Sequence, residues 1–236
     1  MPSGYSRSPK LAKGAFIRLD ESFLMPIPKV IVFQYNPETL SRTLESSGTK
    51  SDTGGTAPKK NAQVEPYNPT EKISLTLDLD ATDALEEPET HLAERVSGIA
   101  GAIGDLESLL YPAKEDALKG LTFSLLDKST YVKPTKVPVV LFSWGVNRLV
   151  PVRFESFSVK EEAFSPLLVP IRAKVEVTLR VITDEEIEQW SKSTSDSEKL
   201  AAAAYKYTKE CREAVSTAAG ALDTAASVLG GPLVKL

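Results

Sequence analysis

Between Lys72 and Asp80 the chain alternates without a fault, Ile73, Leu75, Leu77 and Leu79 interleaving with Ser74, Thr76, Asp78 and Asp80. A period of two puts the apolar set on one side of a pleated strand and the polar set on the other, so one face is core and one is wet. The pattern returns from Arg172 to Val181, where Ala173, Val175, Val177, Leu179 and Val181 oppose Arg172, Lys174, Glu176, Thr178 and Arg180. Four further segments rich in β-branched and aromatic residues, Ala15 to Leu19, Val30 to Tyr35, Val139 to Trp144 and Val150 to Val159, bring the expected strands to about six. Leu121 to Leu126 is a candidate for one more short strand.

Two of these segments carry more than their existence. The apolar phase moves from Val150, Val152 and Phe154 to Phe157 and Val159. One face cannot stay buried through that shift unless a bulge intervenes, so a strongly curved strand is expected. Val139 to Phe142 is apolar at every position. Such a run predicts a strand covered on both faces, inside a sandwich or barrel or beneath a neighbouring subunit.

Helical spacing appears in two places. From Pro88 to just before Pro112, Leu92, Val96, Ile99, Ile103, Leu106 and Leu110 recur at intervals of four and three. That is one apolar stripe, bounded by prolines at the positions that open and stop helices, and it must lie on the sheet or on a partner. After Val181 no strand pattern recurs, and Thr183 with Glu186, then Ser195 with Glu198, have capping-box spacing. The second run, about 196–222, aligns Leu200, Ala204, Tyr207, Cys211, Ala214 and Ala218 in an alanine-rich stripe suited to close docking. Gly230-Gly231-Pro232 ends any continuation and leaves a short apolar tail, Leu233 to Leu236. The segment 45–70, with Gly54-Gly55 and few apolar residues, is longer than ordinary connections within a domain. The fold class expected is therefore α+β: a mainly antiparallel barrel or sandwich over 1–183, crossed by one helix at 88–111, with a helical extension over 184–236.

Composition narrows the function classes. With 28 basic against 32 acidic residues and a net charge of −4, the 236-residue chain lacks the basic excess that phosphate neutralisation requires, so nucleic acid is not an expected partner. The single cysteine, Cys211, excludes an intramolecular disulfide framework and a multi-cysteine zinc site, and fits a reducing compartment. No cleaved export signal and no membrane insertion are expected, since no apolar run has the necessary length.

Catalytic chemistry finds little to stand on. The lone histidine, His91, has no accompanying nucleophile motif and lacks the second histidine of a zinc-protease helix. Gly98, Gly101 and Gly104 match neither phosphate-loop spacing and read as helix positions that permit close packing. Asp78, Asp80 and Asp83 lack the glycine and glutamate of a calcium loop and read as solvent-facing carboxylates. Glu161-Glu162 and Asp184 to Glu186 read as charged surface. Cys211 falls on the apolar stripe and reads as packing. No catalytic residue, metal or cofactor is expected.

Three stretches carry a resemblance. Ile31-Val32-Phe33-Gln34-Tyr35-Asn36-Pro37-Glu38-Thr39-Leu40, Leu141-Phe142-Ser143-Trp144-Gly145 and Pro170-Ile171-Arg172-Ala173-Lys174-Val175 resemble the strand-end Asn-Pro, Phe-x-Trp-Gly and Pro-x-Arg-Ala elements of contractile injection system tube-type proteins. The likeness covers roughly residues 14–183 and is to the branch that initiates the tube and adapts it to the baseplate. It implies a small barrel or sandwich with a flanking helix, repeated as a six-fold ring between the inner tube and the spike or hub. It also implies as partners copies of the same chain, the inner tube protein, and the hub and baseplate wedge proteins. The particle would assemble in the bacterial cytoplasm, from which it could later be released.

The motif residues are Phe33, Asn36, Pro37, Phe142, Trp144, Gly145, Pro170, Arg172 and Ala173. Each has a physical reading of its own. Asn36-Pro37 is a turn dipeptide in which Asn bonds its own backbone. Trp144-Gly145 anchors and turns the end of a buried strand. Arg172 is either solvated or reaches a carboxylate at a subunit boundary. Two departures stand out: relatives often continue into a LysM module, which this alanine-rich end does not resemble, and Ser165-Pro166-Leu167-Leu168-Val169 occupies the place of an Asp-Gly turn. The leading expectation is a structural assembly protein with ring contacts at the sheet edges and the 45–70 loop. The alternative is a monomeric ligand- or carbohydrate-binding module using aromatic strand ends such as Tyr35 and Trp144, and a weaker third is a hydrolase with a cryptic site at His91.

Overall fold

The two strictly alternating segments become neighbours. In a computed structural model, which describes residues 12–19, 28–45, 69–86, 89, 96–111, 137–193 and 195–228 (221–228 as helical backbone), strand β4 (Thr70–Asp80) pairs antiparallel with β7 (Pro170–Val181). The other strands are β1 (Ala15–Leu19), β2 (Lys29–Val32), β3 (Leu40–Glu45), β5 (Val139–Ser143) and β6 (Leu149–Phe164). They form one seven-stranded sheet in the order β2-β1-β5-β6-β7-β4-β3, with every ladder antiparallel. The helices are α1 (Thr82–Glu86), α2 (Ala100–Glu107), α3 (Asp184–Ser191) and α4 (Asp196–Val228). The α+β class with a C-terminal helix is as expected.

One side of this sheet is the core. Ile73, Leu75, Leu77 and Leu79 of β4 and Ala173, Val175, Val177 and Leu179 of β7 are buried in the same cluster as Phe16, Val140, Phe142, Val150 and Val152. Their partners in alternation, Ser74, Thr76, Asp78, Arg172, Lys174 and Glu176, are exposed. The long strand β6 carries the predicted irregularity. Its register with β7 slips between Phe154 and Ser156, at the point where the apolar phase changes, and again near Ala163. The bulge lets Phe154 and Phe157 both pack against the core, their rings 6.4 Å apart.

Two strand expectations need correction. Val30 to Tyr35 is not all strand: β2 stops at Val32, and Phe33 turns inward instead. Leu40–Glu45 forms a strand that its pattern does not announce, because it is an edge strand whose residues are half-buried or exposed and whose one partner among the described residues is β4. The candidate strand 121–126 lies outside the described residues.

The helix across the sheet is interrupted at Gly98 and Ile99. Ile99, Ile103, Leu106 and Leu109 enter the core, but Val96 is exposed and Leu109 replaces Leu110 as the final buried contact. Gly98 is not an ordinary helical position; its φ is 54°. An added Cβ there would collide with the Pro170 carbonyl, which accepts a 3.0 Å hydrogen bond from the Ile99 amide. At the far side the Arg18 guanidinium donates to the Ser108 carbonyl, and Lys29 pairs with Asp105 at 2.6 Å. Helix α2 is thus tied to β1 and β2 at one end and to β7 at the other. Residues 90–95, with His91 and Leu92, lie outside the described residues.

The double burial of β5 is met within the chain. Leu141 points away from the main core into a second cluster with Leu19, Ala201 and Ala204, flanked by Leu149 and Trp190. Helix α3 starts with the expected capping box, Thr183 with Glu186, and Ser195 Oγ accepts from the Glu198 amide ahead of α4. The face of α4 that docks differs from the predicted stripe. Ser197, Ala201, Ala202, Ala204 and Thr208 are buried, Leu200 and Tyr207 are exposed, and Cys211 is half-buried. Thr208 decides the registry, because its buried hydroxyl accepts from the Leu149 amide at 2.9 Å and lies 2.7 Å from the Leu149 carbonyl. Ala214 and Ala218 lie beyond the docked part and are exposed.

Candidate assembly surface

The three motif stretches meet, and what they build is the closure of the curled sheet. Phe33 (4% exposed) packs edge-on to Phe16 at 5.0 Å, and Trp144 stacks on Phe142 at 6.1 Å with 16° between the planes. Both rings lie against Gly14, where an added Cβ would stand 2.7 Å from Phe33 and 2.8 Å from Trp144. Glycine is what lets the backbone lie between two aromatic rings. The Phe33 amide donates to the Gly14 carbonyl at 2.9 Å. Asn36 does not bond its own backbone; its carboxamide accepts from the Gly14 amide at 2.9 Å and donates to the Ala12 carbonyl at 2.8 Å. Pro37 follows, half-buried. Gly145, with φ of 68°, starts the turn that the Trp144 amide closes on the Arg148 carbonyl at 2.8 Å.

The other half of the closure is Asp80. The Gln34 carboxamide donates to the Asp80 carbonyl and accepts from the Asp80 amide at 3.0 Å. Since Gln34 follows β2 and Asp80 ends β4, strands far apart in the sheet order, this clasp requires the sheet to bend back on itself. The Asp80 carboxylate accepts from Arg172 Nε at 2.9 Å and Nη2 at 2.7 Å, and from the amide and hydroxyl of Thr82. Burial alone would raise the Asp80 pKa, but the bonds from Thr82 and Arg172 outweigh it and hold the carboxyl below its ordinary value. Arg172 therefore finds a carboxylate across its own strand pair, Asp80 being its register partner. Asp83 accepts from the Tyr35 hydroxyl at 3.4 Å. Ala173 is fully buried behind them and Pro170 holds the base of α2. No signal in the alternation pattern separates Asp80 from Asp78, and Gln34 and Gly14 carry none of their own.

A second cluster fixes the C-terminal helix. Glu71 accepts from Arg42 of β3 at 2.6 and 3.0 Å and from Arg212 of α4 at 3.2 and 3.3 Å. Burial opposes the ionised Glu71, yet the two guanidiniums prevail and lower its pKa. Arg148 stands nearby, its pKa lowered by burial and by the Arg212 and Arg42 charges. Arg42, Glu71 and Arg212 border an open cavity of about 260 Å³ whose wall includes Tyr205 and Lys209. Among the described residues no three potential ligands converge on a metal position, and no helix is long and apolar enough to cross a membrane.

Residues 18–189 match the sequence model of the family described as contractile injection system tube protein. The chain belongs to that family. No curated protein matches it. The matched span runs from β1 into α3 and leaves α4 outside. As a tube-family protein the chain is a structural component that assembles with other tail parts. Its free surfaces are then the relevant ones. Edge strand β2 presents Val30 and Val32, both more than half exposed, and edge strand β3 presents Leu44 at 53%. The β6–β7 hairpin ends in Leu167 and Leu168, at 86% and 80%.

Proposed function

We propose that this chain forms a six-fold ring at the junction between the inner tube and the baseplate of a bacterial contractile injection system, where it acts as tube initiator or adaptor. The observation that carries this reading is the pair of sheet edges. β2 and β3 each have a ladder on one side only among the described residues, and each bears exposed apolar side chains. Two unlike open edges on one subunit suit a head-to-tail contact that closes when the rotation between subunits closes. The inner tube protein, the hub and the baseplate wedge would be its partners, and the bacterial cytoplasm the place of assembly. The docked α4 lies outside the matched span and adds surface to it.

The binding-module reading named two aromatic residues that have partners within the chain. Tyr35 is engaged with Asp83, and Trp144 stacks on Phe142. The test is electron microscopy of the particles that co-purify with an N-terminally tagged chain. A tag at one end of sheathed rods supports the junction, whereas a tag along the whole length makes the chain a tube subunit. Dispersed monomers without rods refute the assembly reading.

A further inference from the structure

The end of the core beneath α4 is closed by charge. Residues two apart along a strand share a face. Arg42, Glu71 and Arg148 each stand two residues from a side chain in or against the main core, Leu40, Ile73 and Val150 respectively. β3, β4 and the start of β6 thus each extend their core face by one charged residue. Helix α4 brings two further cations to the same place. Its Thr208 is bonded to Leu149, the residue after Arg148, and Lys209 and Arg212 follow Thr208 along the helix.

The charges there do not balance. Arg42 and Arg212 share Glu71, and Lys209 pairs with Asp184 at 3.4 Å, so two carboxylates answer three cations. Arg148 is half-buried, and among the described residues no hydrogen bond or ion pair holds its guanidinium. The charges of Arg212 and Arg42 oppose its own, and Glu71 alone favours it. Four cations against two carboxylates leave an excess of two positive charges.

There is also room for what would balance them. The cavity of about 260 Å³ is open to solvent, with Arg42, Lys209 and Arg212 on its wall beside Val150, Val181 and Ile182. At about 30 Å³ per water it holds roughly nine waters, space enough for a tetrahedral oxyanion and part of its hydration. Donors remain to meet it. Glu71 takes Nε and Nη2 of Arg42 and both terminal nitrogens of Arg212, which leaves Arg42 Nη1 and Arg212 Nε outside that set of bonds. The apolar part of the wall strengthens any ionic attraction formed against it.

We infer that this cavity binds a compact dianion of the phosphate type, held by Arg42, Lys209 and Arg212 on its wall with Arg148 beside them. Two of the four cations are on α4 and two belong to the sheet, so an occupied site staples the helix to the sheet. Because the mouth is open, free phosphate and the phosphate group of a monoester present the same chemistry to it. The site does not depend on where in the particle the chain sits.

The experiment is titration calorimetry of the full chain with inorganic phosphate and with glycerol 2-phosphate, at an ionic strength fixed by sodium chloride in an otherwise phosphate-free buffer. Amide hydrogen exchange of α4 is followed in parallel. Wild type is expected to bind phosphate at one site, with slower exchange in the first half of α4. Arg148→Met and Lys209→Met each withdraw one cation and are expected to weaken binding roughly tenfold, the effect of one unit charge on a dianion a few ångströms away. Glu71→Gln raises the excess to three and releases two guanidiniums. It is expected to bind phosphate roughly tenfold more tightly and to regain melting temperature as phosphate is added. A gain in affinity in a destabilised chain separates the site from the general stabilising action of phosphate salts, which would treat every variant alike. Binding of both probes upholds the site for phosphate groups at large, and binding of inorganic phosphate alone upholds it for the free ion. A wild-type chain with no saturable binding below about 10 mM overturns the inference. So does a Glu71→Gln chain that binds no more tightly than wild type, or affinity that is unchanged in both Arg148→Met and Lys209→Met.

Discussion

Replacing Glu71 with glutamine keeps shape and removes charge at the one point where edge strand, central strand and C-terminal helix are tied together. Glu71 is 9% exposed and accepts four guanidinium hydrogen bonds, two from Arg42 and two from Arg212. Hydrogen bonds to charged groups contribute about 1.5–3 kcal/mol each in net terms, and removing one member of a fully buried ion pair costs about 3–5 kcal/mol. Here the Arg42 and Arg212 side chains retain 35% and 38% exposure, so water compensates them in part. The expected loss is about 2–3 kcal/mol, a fall in Tm of roughly 4–12 °C for a domain of this size. Arg148 sharpens the expectation. Its charge is opposed by Arg212 and Arg42 and favoured by Glu71, so Glu71→Gln leaves three cations together while Arg212→Gln relieves one repulsion. Glu71→Gln should therefore be the more damaging of the two, and the double variant should lose less than their sum. The sign with pH is fixed as well. A carboxyl whose pKa is lowered on folding stabilises above its unfolded value, and that stabilisation disappears as pH falls through the folded value. Thermal melts of wild type and Glu71→Gln should be furthest apart at neutral pH and converge below about pH 4. A Tm change under about 2 °C at pH 7, or a gap that persists unchanged in acid, refutes the charged clasp.

Other positions give independent tests. Gly98→Ala places a methyl group against the Pro170 carbonyl at a φ of 54° and should cost about 2 kcal/mol or more by chemical denaturation. Thr208→Val strands the Leu149 amide and carbonyl beneath α4, an expected loss of about 1–3 kcal/mol with faster amide hydrogen exchange in the first half of that helix. Gly14→Ala pushes Phe33 and Trp144 apart and should change the near-ultraviolet dichroism of the aromatic cluster before it changes the far-ultraviolet spectrum. Arg148→Met removes a charge that its surroundings oppose and should leave the Tm unchanged or raised.

What could be read from the sequence follows from how much each position depends on its neighbours. β4 and β7 are evident because both strands are core on one face and solvent on the other, so burial writes a period of two into them. The bulge in β6 is evident for the same reason: the core must be satisfied on both sides of a slipped register, and the phase change records it. β3 is hidden because Arg42 and Leu44 answer to one neighbouring strand and one ion pair rather than to a packed face, and Leu40 alone of the three packs against the core. On α4 the spacing was sound and the phase was not. Leu200 and Tyr207 are more hydrophobic than Ala201 and Thr208, but small residues and a hydroxyl fit against β5 and β6, and bulk does not. Gln34, Asp80 and Gly14 are beyond pattern reading altogether, since their partners lie tens of residues away and only the curl of the sheet brings them together.

That curl also accounts for what the residues of the three motif stretches do within the chain. Phe33, Phe142 and Ala173 are buried, Asn36 holds the segment before β1, and Arg172 is spent on Asp80 within the chain. Closing a strongly bent sheet needs specific side chains on specific backbone groups, so these positions are constrained by folding itself. An open edge such as β2 or an exposed tip such as Leu167 is constrained only by whatever shape meets it. The two classes of residue should therefore fail differently. Gln34→Ala, which loses both bonds to the Asp80 backbone, should lower the Tm in dilute solution and reduce assembly only as far as folded chain is lost. Leu167→Ser should leave the dilute melt unchanged and reduce assembly at full folded content. If Gln34→Ala abolished assembly with no change in melting, the closure would itself be a contact surface, and the separation of fold from function drawn from Asp80 would be wrong.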